Sequence, residues 1–166
     1  MVTLKVLLVD DHDGLRATVA SFLKRQQGVE IIGEAANGVR AIEQTERLRP
    51  DLVLMDLDMP ECDGFEATRE IKTRVPNTRV FILSMHGGDS YRRMAWRSAA
   101  DGFIEKASMK NDLVALVADE RRRLGEGVRV VAPAIESHPS SWSVTSRRRT
   151  SSGRPRSRRC AAPSQP

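Results

Sequence analysis

Long apolar runs are absent from this sequence of 166 residues. Its apolar residues form short stretches such as VLLV and VFIL, far below the roughly 20 residues that a helix needs to cross a bilayer. Acidic residues follow the first apolar stretch, and no small-residue cleavage site is present, so the N-terminus is not typical of a secretory signal peptide. We therefore expect a cytoplasmic protein that does not enter a membrane.

Cysteine is scarce as well. Cys62 and Cys160 lie far apart in the sequence, form no CxxC pair and have no neighbouring histidine. This distribution indicates neither a disulfide framework nor a zinc finger, and we assign no function to either thiol.

Acidic residues are missing from the C-terminal part of the chain. Residues 137–166 hold seven arginines, nine serines and four prolines, but no lysine, so the net charge of +5 arises there. A segment of this composition with almost no apolar periodicity cannot bury enough surface to offset the entropy of ordering. We predict one folded domain over residues 1–125, a linker over residues 126–136 and a disordered basic tail over residues 137–166.

Five short apolar stretches predict β-strands, and segments with helical periodicity separate them. Leu15, Val19 and Leu23 follow the i, i+4, i+8 spacing of one helix face, and the last helix has Glu120 within a mostly apolar face. The predicted strands are residues 4–9, 29–35, 51–55, 79–84 and 102–105. The predicted helix starts are at Asp13, Asn37 and Ser108.

Strand and helix alternate five times, and the strands are apolar on both faces. This pattern is typical of a parallel sheet that is covered by helices on both sides, a doubly wound α/β fold. In such folds ligands bind beyond the carboxyl ends of the strands, which is where candidate functional residues are expected.

Polar residues lie at the carboxyl ends of four predicted strands. Asp10 and Asp11 follow the first strand, Asp56 the third and Lys106 the fifth, and Ser84 ends the fourth. Carboxylates that converge in this way repel one another unless a cation is present. Mg²⁺ suits such a site, because it is usually held by one or two carboxylates together with waters and phosphate oxygens.

The same residues suit phosphoryl transfer to a carboxylate. That reaction needs a nucleophilic oxygen, a cation that neutralises the phosphoryl oxygens and a second positive group. Asp56, Mg²⁺ and Lys106 would supply these three, and Ser84 adds a hydroxyl donor.

Four motifs make the chain resemble the receiver domains of two-component response regulators, particularly those of the NarL/LuxR class of transcription regulators. The resemblance covers about residues 3–125 and implies a flavodoxin-like five-stranded parallel sheet of strand order 2-1-3-4-5. The motifs are LLVDDH (7–12), LMDLDMPECDGFEA (54–67), ILSMH (82–86) and ADGFIEKAS (100–108).

The resemblance also implies roles for the metal-binding residues. Asp56 is then the phosphoacceptor, and Asp10 and Asp11 are the acidic pair, with Asp11 the direct ligand of Mg²⁺. Asp58 matches the position whose backbone carbonyl binds the metal.

Three further residues match the family's switch. Ser84 corresponds to the switch hydroxyl, Lys106 to the family's lysine, and Phe103 to the aromatic residue that moves with the hydroxyl. A histidine kinase is the implied phosphodonor, and self-phosphorylation from small phosphodonors and autodephosphorylation are the only reactions expected.

The chain departs from this class after the linker, because no helix-turn-helix domain follows it. The DNA-binding function of the class therefore cannot be carried over, and the output partner is unknown. Homodimerisation is possible, and nucleic acid could bind only through the basic tail or a missing output domain.

Two alternatives remain open. One is DNA-binding transcription regulation through dimerisation or the basic tail. The other is a haloacid-dehalogenase-type phosphatase, because DLDMP (56–60) resembles its DxD motif, although that class places the motif after the first strand. His12, which follows the acidic pair, is expected to be structural or solvated.

Overall fold

A computed structural model describes residues 2–125. The predicted linker over residues 126–136 and the predicted tail over residues 137–166 lie outside the described residues. No helix within the described range is long and apolar enough to span a membrane.

Five strands and five helices alternate along the chain. Each strand corresponds to a predicted apolar stretch; the third begins one residue later than expected and includes Asp56 as its last residue. The elements are β1 (Leu4–Val9), α1 (Asp13–Lys24), β2 (Val29–Ala35), α2 (Gly38–Leu48), β3 (Leu52–Asp56), α3 (Gly64–Arg74), β4 (Arg79–Ser84), α4 (Asp89–Arg97), β5 (Gly102–Glu105) and α5 (Met109–Gly125).

The strands form one parallel sheet of order β2-β1-β3-β4-β5. The doubly wound α/β fold and the strand order are thus confirmed. The chain reverses its direction of winding after β2, so that β1 and β3 are neighbours at the centre of the sheet. Their carboxyl ends therefore lie side by side, at the place where such folds bind ligands.

Apolar layers cover both faces of the sheet. One face of β1 packs with Leu4, Val6 and Leu8 against α1 and α5, and the other packs with Leu7 and Val9 against α2 and α3. All five residues of β3 are buried, which explains its continuous apolar sequence. A third cluster packs the start of α3 against α4 and β4.

The N-terminal cap of α2 is the predicted residue, whereas the cap of α1 is a different one. The Asn37 side chain accepts a hydrogen bond from the Arg40 amide at 2.8 Å and caps α2 as expected. In α1, however, the cap is His12, whose Nδ1 accepts from the Leu15 amide at 3.2 Å, while Asp13 is the first helical residue. Helix α5 begins directly after Ser108.

An ion-pair network explains the acidic residue on the apolar face of α5. Glu120 is buried and accepts a hydrogen bond from Arg79 Nε at 3.1 Å. Arg79 Nη1 also donates to Asp101 at 2.6 Å, and Asp101 accepts from Lys72 Nζ at 2.9 Å. The network joins α3, β4 and α5 to the turn before β5, away from the carboxyl ends of the strands.

Candidate functional site

The candidate site lies at the carboxyl edge of the sheet. Asp10 directly follows β1, Asp56 and Ser84 end β3 and β4, and Lys106 directly follows β5. Because all strands are parallel, their carboxyl ends meet at one edge, and the sheet brings these residues together from four separate segments.

Three carboxylates lie close enough to bind one cation. Asp10, Asp11 and Asp56 each offer an oxygen, and these oxygens lie within 4.8 Å of one another. Asp10 and Asp56 are buried, whereas Asp11 is exposed, so that the cluster reaches the surface on the Asp11 side. An all-oxygen donor set of this kind fits a hard divalent cation such as Mg²⁺.

The Asp56 carboxylate has a buried oxygen that could bind a cation. Its Oδ1 is buried and lies 2.5 Å from Lys106 Nζ, and it accepts a hydrogen bond from no other group among the described residues. Burial raises the pKa of Asp56, with a smaller contribution from the Asp10 charge, and Lys106 opposes the rise. The donor set and this buried oxygen together fit a bound cation.

Lys106 bridges the two buried carboxylates. Its Nζ also donates to Asp10 Oδ2 at 2.9 Å, and only 7% of its side chain is exposed. Burial by itself lowers the pKa of Lys106, but the contacts with Asp56 and Asp10 outweigh it and raise the pKa above its ordinary value. The site therefore contains a fixed ammonium group beside the candidate phosphoacceptor.

Two hydrogen bonds hold Asp10 in place after β1. Asp10 Oδ1 accepts from the His12 amide at 2.8 Å, and the Asp10 carbonyl accepts from Arg16 Nη1 at 2.6 Å. The His12 ring caps α1, in agreement with the structural role that was expected for it. The order of these residues in DDH thus serves both the site and the helix start.

Gly64 was missed at the sequence level, although it supports the site. It is the first residue of α3, and a Cβ at this position would overlap the carbonyl oxygen of Asp56. The Gly64 amide donates to the Leu57 carbonyl at 3.0 Å, which fixes the loop after β3. The DG pair at 63–64 is the available sequence signal, because such pairs are typical of tight turns.

Asp58 contributes no carboxylate to the cluster. Its side chain is half exposed, and Oδ2 lies 3.5 Å from Nε2 of His86, which follows β4. The role predicted for Asp58 uses its backbone carbonyl and stays a prediction.

The two predicted switch residues lie on neighbouring strands. Ser84 is fully buried, and its Oγ accepts a hydrogen bond from the His86 amide at 2.9 Å. Phe103 pairs in register with Ile82, two residues before Ser84, and packs half buried in the cluster that also contains Tyr91. Side chains two residues apart on a strand share a face, so the hydroxyl and the aromatic ring lie on the same side of the sheet.

A parallel sheet of this order, with an acidic cluster and a lysine at its carboxyl edge, defines the class of phosphorylation-dependent receiver domains. The family model for the response regulator receiver domain matches residues 6–118, and the chain belongs to this family.

Relatives and solved structures agree with this assignment. The response regulator protein VraR of Staphylococcus epidermidis is 39% identical over 134 residues, which cover 81% of this chain and 62% of VraR. The chain thus spans about three fifths of the length of the curated relatives it matches.

Two solved structures illustrate the structural similarity. The receiver domain of NarL from Mycobacterium tuberculosis aligns with a TM-score of 0.69 and 30% identity, covering 74% of this chain and 98% of that domain. The CheX–CheY–BeF3–Mg²⁺ complex of Borrelia burgdorferi aligns with a TM-score of 0.66 and 25% identity, covering 71% of this chain and 89% of the matched chain.

Family membership sets the general function. Receiver domains of two-component response regulators are switches that phosphorylation drives, and response regulators are generally signalling proteins. Receiver domains bind Mg²⁺ at an acidic pocket, and this chain has an acidic cluster at the corresponding edge of the sheet. The resemblance seen in the sequence is therefore confirmed at the level of family and fold.

Proposed function

We propose that Asp56 accepts a phosphoryl group from a sensor histidine kinase in a reaction that requires Mg²⁺. The observation that carries this proposal is the position of the Asp56 carboxylate, which ends β3 within the acidic cluster and contacts the Lys106 ammonium at 2.5 Å. A nucleophilic carboxylate and a fixed positive group are thus side by side.

Asp10, Asp11 and Asp56 hold the metal ion, together with the backbone carbonyl of Asp58. When bound, Mg²⁺ neutralises the phosphoryl oxygens and relieves the repulsion between the carboxylates. The CheY complex of Borrelia burgdorferi contains Mg²⁺ together with BeF3, which supports the same pairing of metal and phosphoryl group here.

Two side chains respond to the phosphoryl group. Lys106 donates a hydrogen bond to Asp10 and would supply a second positive charge to the phosphoryl oxygens. Ser84 turns its hydroxyl toward a phosphoryl oxygen, and Phe103 then moves on the same side of the sheet. Phosphorylation favours this arrangement only because the phosphoryl group bonds to it more strongly than to the resting one.

The altered surface includes α4, whose Trp96 side chain is 70% exposed. We assign signalling to phosphorylation-dependent contact between this surface and a protein partner in the cytoplasm. Catalytic turnover of other substrates plays no part in this function.

Intact-mass measurement tests the proposal. The full chain is incubated with acetyl phosphate, with Mg²⁺ or with EDTA, next to the Asp56→Asn and Asp89→Asn variants. Asp89 is an exposed residue of the first turn of α4 and serves as the matched control. We expect one Mg²⁺-dependent phosphoryl addition in the wild type and in Asp89→Asn, and none in Asp56→Asn. Full phosphorylation of Asp56→Asn would show that the acceptor is another residue.

A further inference from the structure

Arg16 of α1 contacts the chain between the two members of the acidic pair. Its Nη1 donates to the Asp10 carbonyl at 2.6 Å, and this carbonyl belongs to the peptide unit that joins Asp10 to Asp11. A peptide unit is planar, so a bond that fixes its oxygen also restricts the direction in which the next residue carries its side chain. The contact therefore acts on Asp11, the exposed carboxylate of the cluster.

The Asp11 side chain has no support of its own. Among residues 2–125 no hydrogen bond or ion pair holds its carboxylate. Both oxygens of Asp10, in contrast, are bonded, one to the His12 amide and one to Lys106. A side chain that must be ordered before it binds a cation loses conformational entropy on binding. The orientation of Asp11 consequently depends on the backbone that carries it.

Other contacts fix the guanidinium group of Arg16. Its Nε donates to Glu34 at 3.1 Å, and its Nη2 donates to Asp13 at 2.5 Å. Each of the three acceptors is thus bound by a different nitrogen, and only 15% of the side chain is exposed. A guanidinium suits this arrangement, because its donors point in fixed directions within one plane. The ammonium group of a lysine, on its flexible stem, cannot reproduce them.

Strand β2 anchors the acidic pair on both sides of Asp10. The Asp10 amide donates to the carbonyl of Ala35, the last residue of β2, at 3.1 Å. The Asp10 carbonyl is linked through Arg16 to Glu34, which also lies in β2. The peptide unit before Asp11 is therefore attached to the sheet through a side chain of α1.

The charge of Arg16 does not explain its place beside a cation site. A guanidinium repels a nearby cation, so on charge alone Arg16 would weaken the binding of Mg²⁺. Its two carboxylate partners, Asp13 and Glu34, offset that charge. The hydrogen bond to the Asp10 carbonyl is what remains to favour metal binding.

We propose that Arg16 is a positioning residue for Mg²⁺, which fixes the peptide unit between Asp10 and Asp11 and thereby holds the Asp11 carboxylate toward the cluster. The inference rests on the proposed function, in which Asp10, Asp11 and Asp56 hold the metal ion. It adds a residue outside the set of ligands. Loss of a partner that orients a metal ligand typically weakens metal binding by about tenfold or more.

Calorimetric titration of the full chain with Mg²⁺ tests this role, with substitutions at Arg16 and Arg74 that keep the charge. The proteins are wild type, Arg16→Lys, Asp11→Asn, the double variant that combines these two substitutions, and Arg74→Lys. Arg74 is the matched control, because it also pairs with two carboxylates and lies at the end of α3 that is remote from the acidic cluster. Urea denaturation in EDTA measures the stability of each protein separately from its affinity for Mg²⁺.

We expect Arg16→Lys to bind Mg²⁺ about tenfold more weakly than wild type, and Arg74→Lys to bind it as wild type does. In the Asp11→Asn background, Arg16→Lys should change the affinity by about twofold at most, because the ligand that Arg16 positions has already been lost. A substitution that only destabilised the domain would leave the affinity of the folded protein unchanged.

Three results would overturn the inference. Equal Mg²⁺ affinity of Arg16→Lys and wild type would refute the role of Arg16 and leave the proposed function intact. A tenfold loss that persists in the Asp11→Asn background would also refute it, since Arg16 would then act other than through Asp11. Failure of the wild type to bind Mg²⁺ would refute the metal site of the proposed function, and the role of Arg16 with it.

Discussion

Lys106 Nζ lies 2.5 Å from Oδ1 of Asp56, although α3, β4, α4 and β5 separate the two residues along the chain. Both side chains are almost completely buried, so the contact joins two charges that would each be costly to bury alone. Asp10 is the third member of this group, and its second oxygen is held by the His12 amide. One ammonium group therefore faces two buried carboxylates.

Lys106→Met should destabilise the domain by about 3 kcal/mol in EDTA, because it leaves Asp10 and Asp56 buried without their cation. Urea denaturation followed by circular dichroism measures the loss. Lys110→Met, at an exposed position in the first turn of α5, is the control and should stay within about 0.5 kcal/mol of wild type. Mg²⁺ should restore part of the lost stability, and equal stability of both variants in EDTA would contradict the prediction.

Asp11→Asn should weaken Mg²⁺ binding about tenfold while the fold stays intact, because Asp11 is the exposed member of the carboxylate cluster. Calorimetric titration with Mg²⁺ measures the affinity, and thermal unfolding in EDTA checks the fold. Asp119→Asn, on the exposed face of α5, should bind Mg²⁺ like the wild type. Unchanged affinity in Asp11→Asn would exclude Asp11 as a ligand.

Gly64→Ala should destabilise the domain by about 1–3 kcal/mol and slow phosphorylation by acetyl phosphate, since the new methyl group overlaps the Asp56 carbonyl. Denaturant titration and the rate of mass increase are the two measurements. Gly125→Ala, where a Cβ meets no atom within 4 Å, is the matched substitution and should change neither quantity. A phosphorylation rate equal to that of the wild type would show that Gly64 does not position the acceptor.

Arg79→Met should cost about 3 kcal/mol of stability, because it leaves the buried Glu120 carboxylate without its main partner. The substitution lies far from the acidic cluster, so Mg²⁺ affinity should not change. Arg97→Met, on the exposed side of α4, is the control. Denaturation and Mg²⁺ titration together separate this structural role from a role in the site.

The strands could be predicted almost to the residue, because apolar runs bounded by polar residues mark strands that are buried on both faces. The one shift, at β3, places Asp56 within the strand and not after it. Helix starts were less certain, since His12 and Asp13 can both accept a hydrogen bond from a helix amide. In the structure His12 is the cap and Asp13 is the first residue of the helix.

Long-range pairs could not be predicted in the same way. Glu120 lies on a mostly apolar helix face, and its partners are Arg79, which is remote in the chain, and Arg123. His86 lies in the ILSMH motif, but its contacts with Asp58 in the loop after β3 and with Tyr91 of α4 have no local sequence signal.

The sequence by itself determined which residue types lie at the carboxyl ends of the strands. It also determined the family, the fold and the candidate phosphoacceptor Asp56. Local patterns suffice for this, because strand periodicity and short motifs are read within a few residues. The tertiary structure alone pairs Lys106 with Asp10 and Asp56, and brings His86 to Ser84 and Asp58. These distances depend on strand order and on the paths of loops, which are set by packing between segments that are remote in the chain.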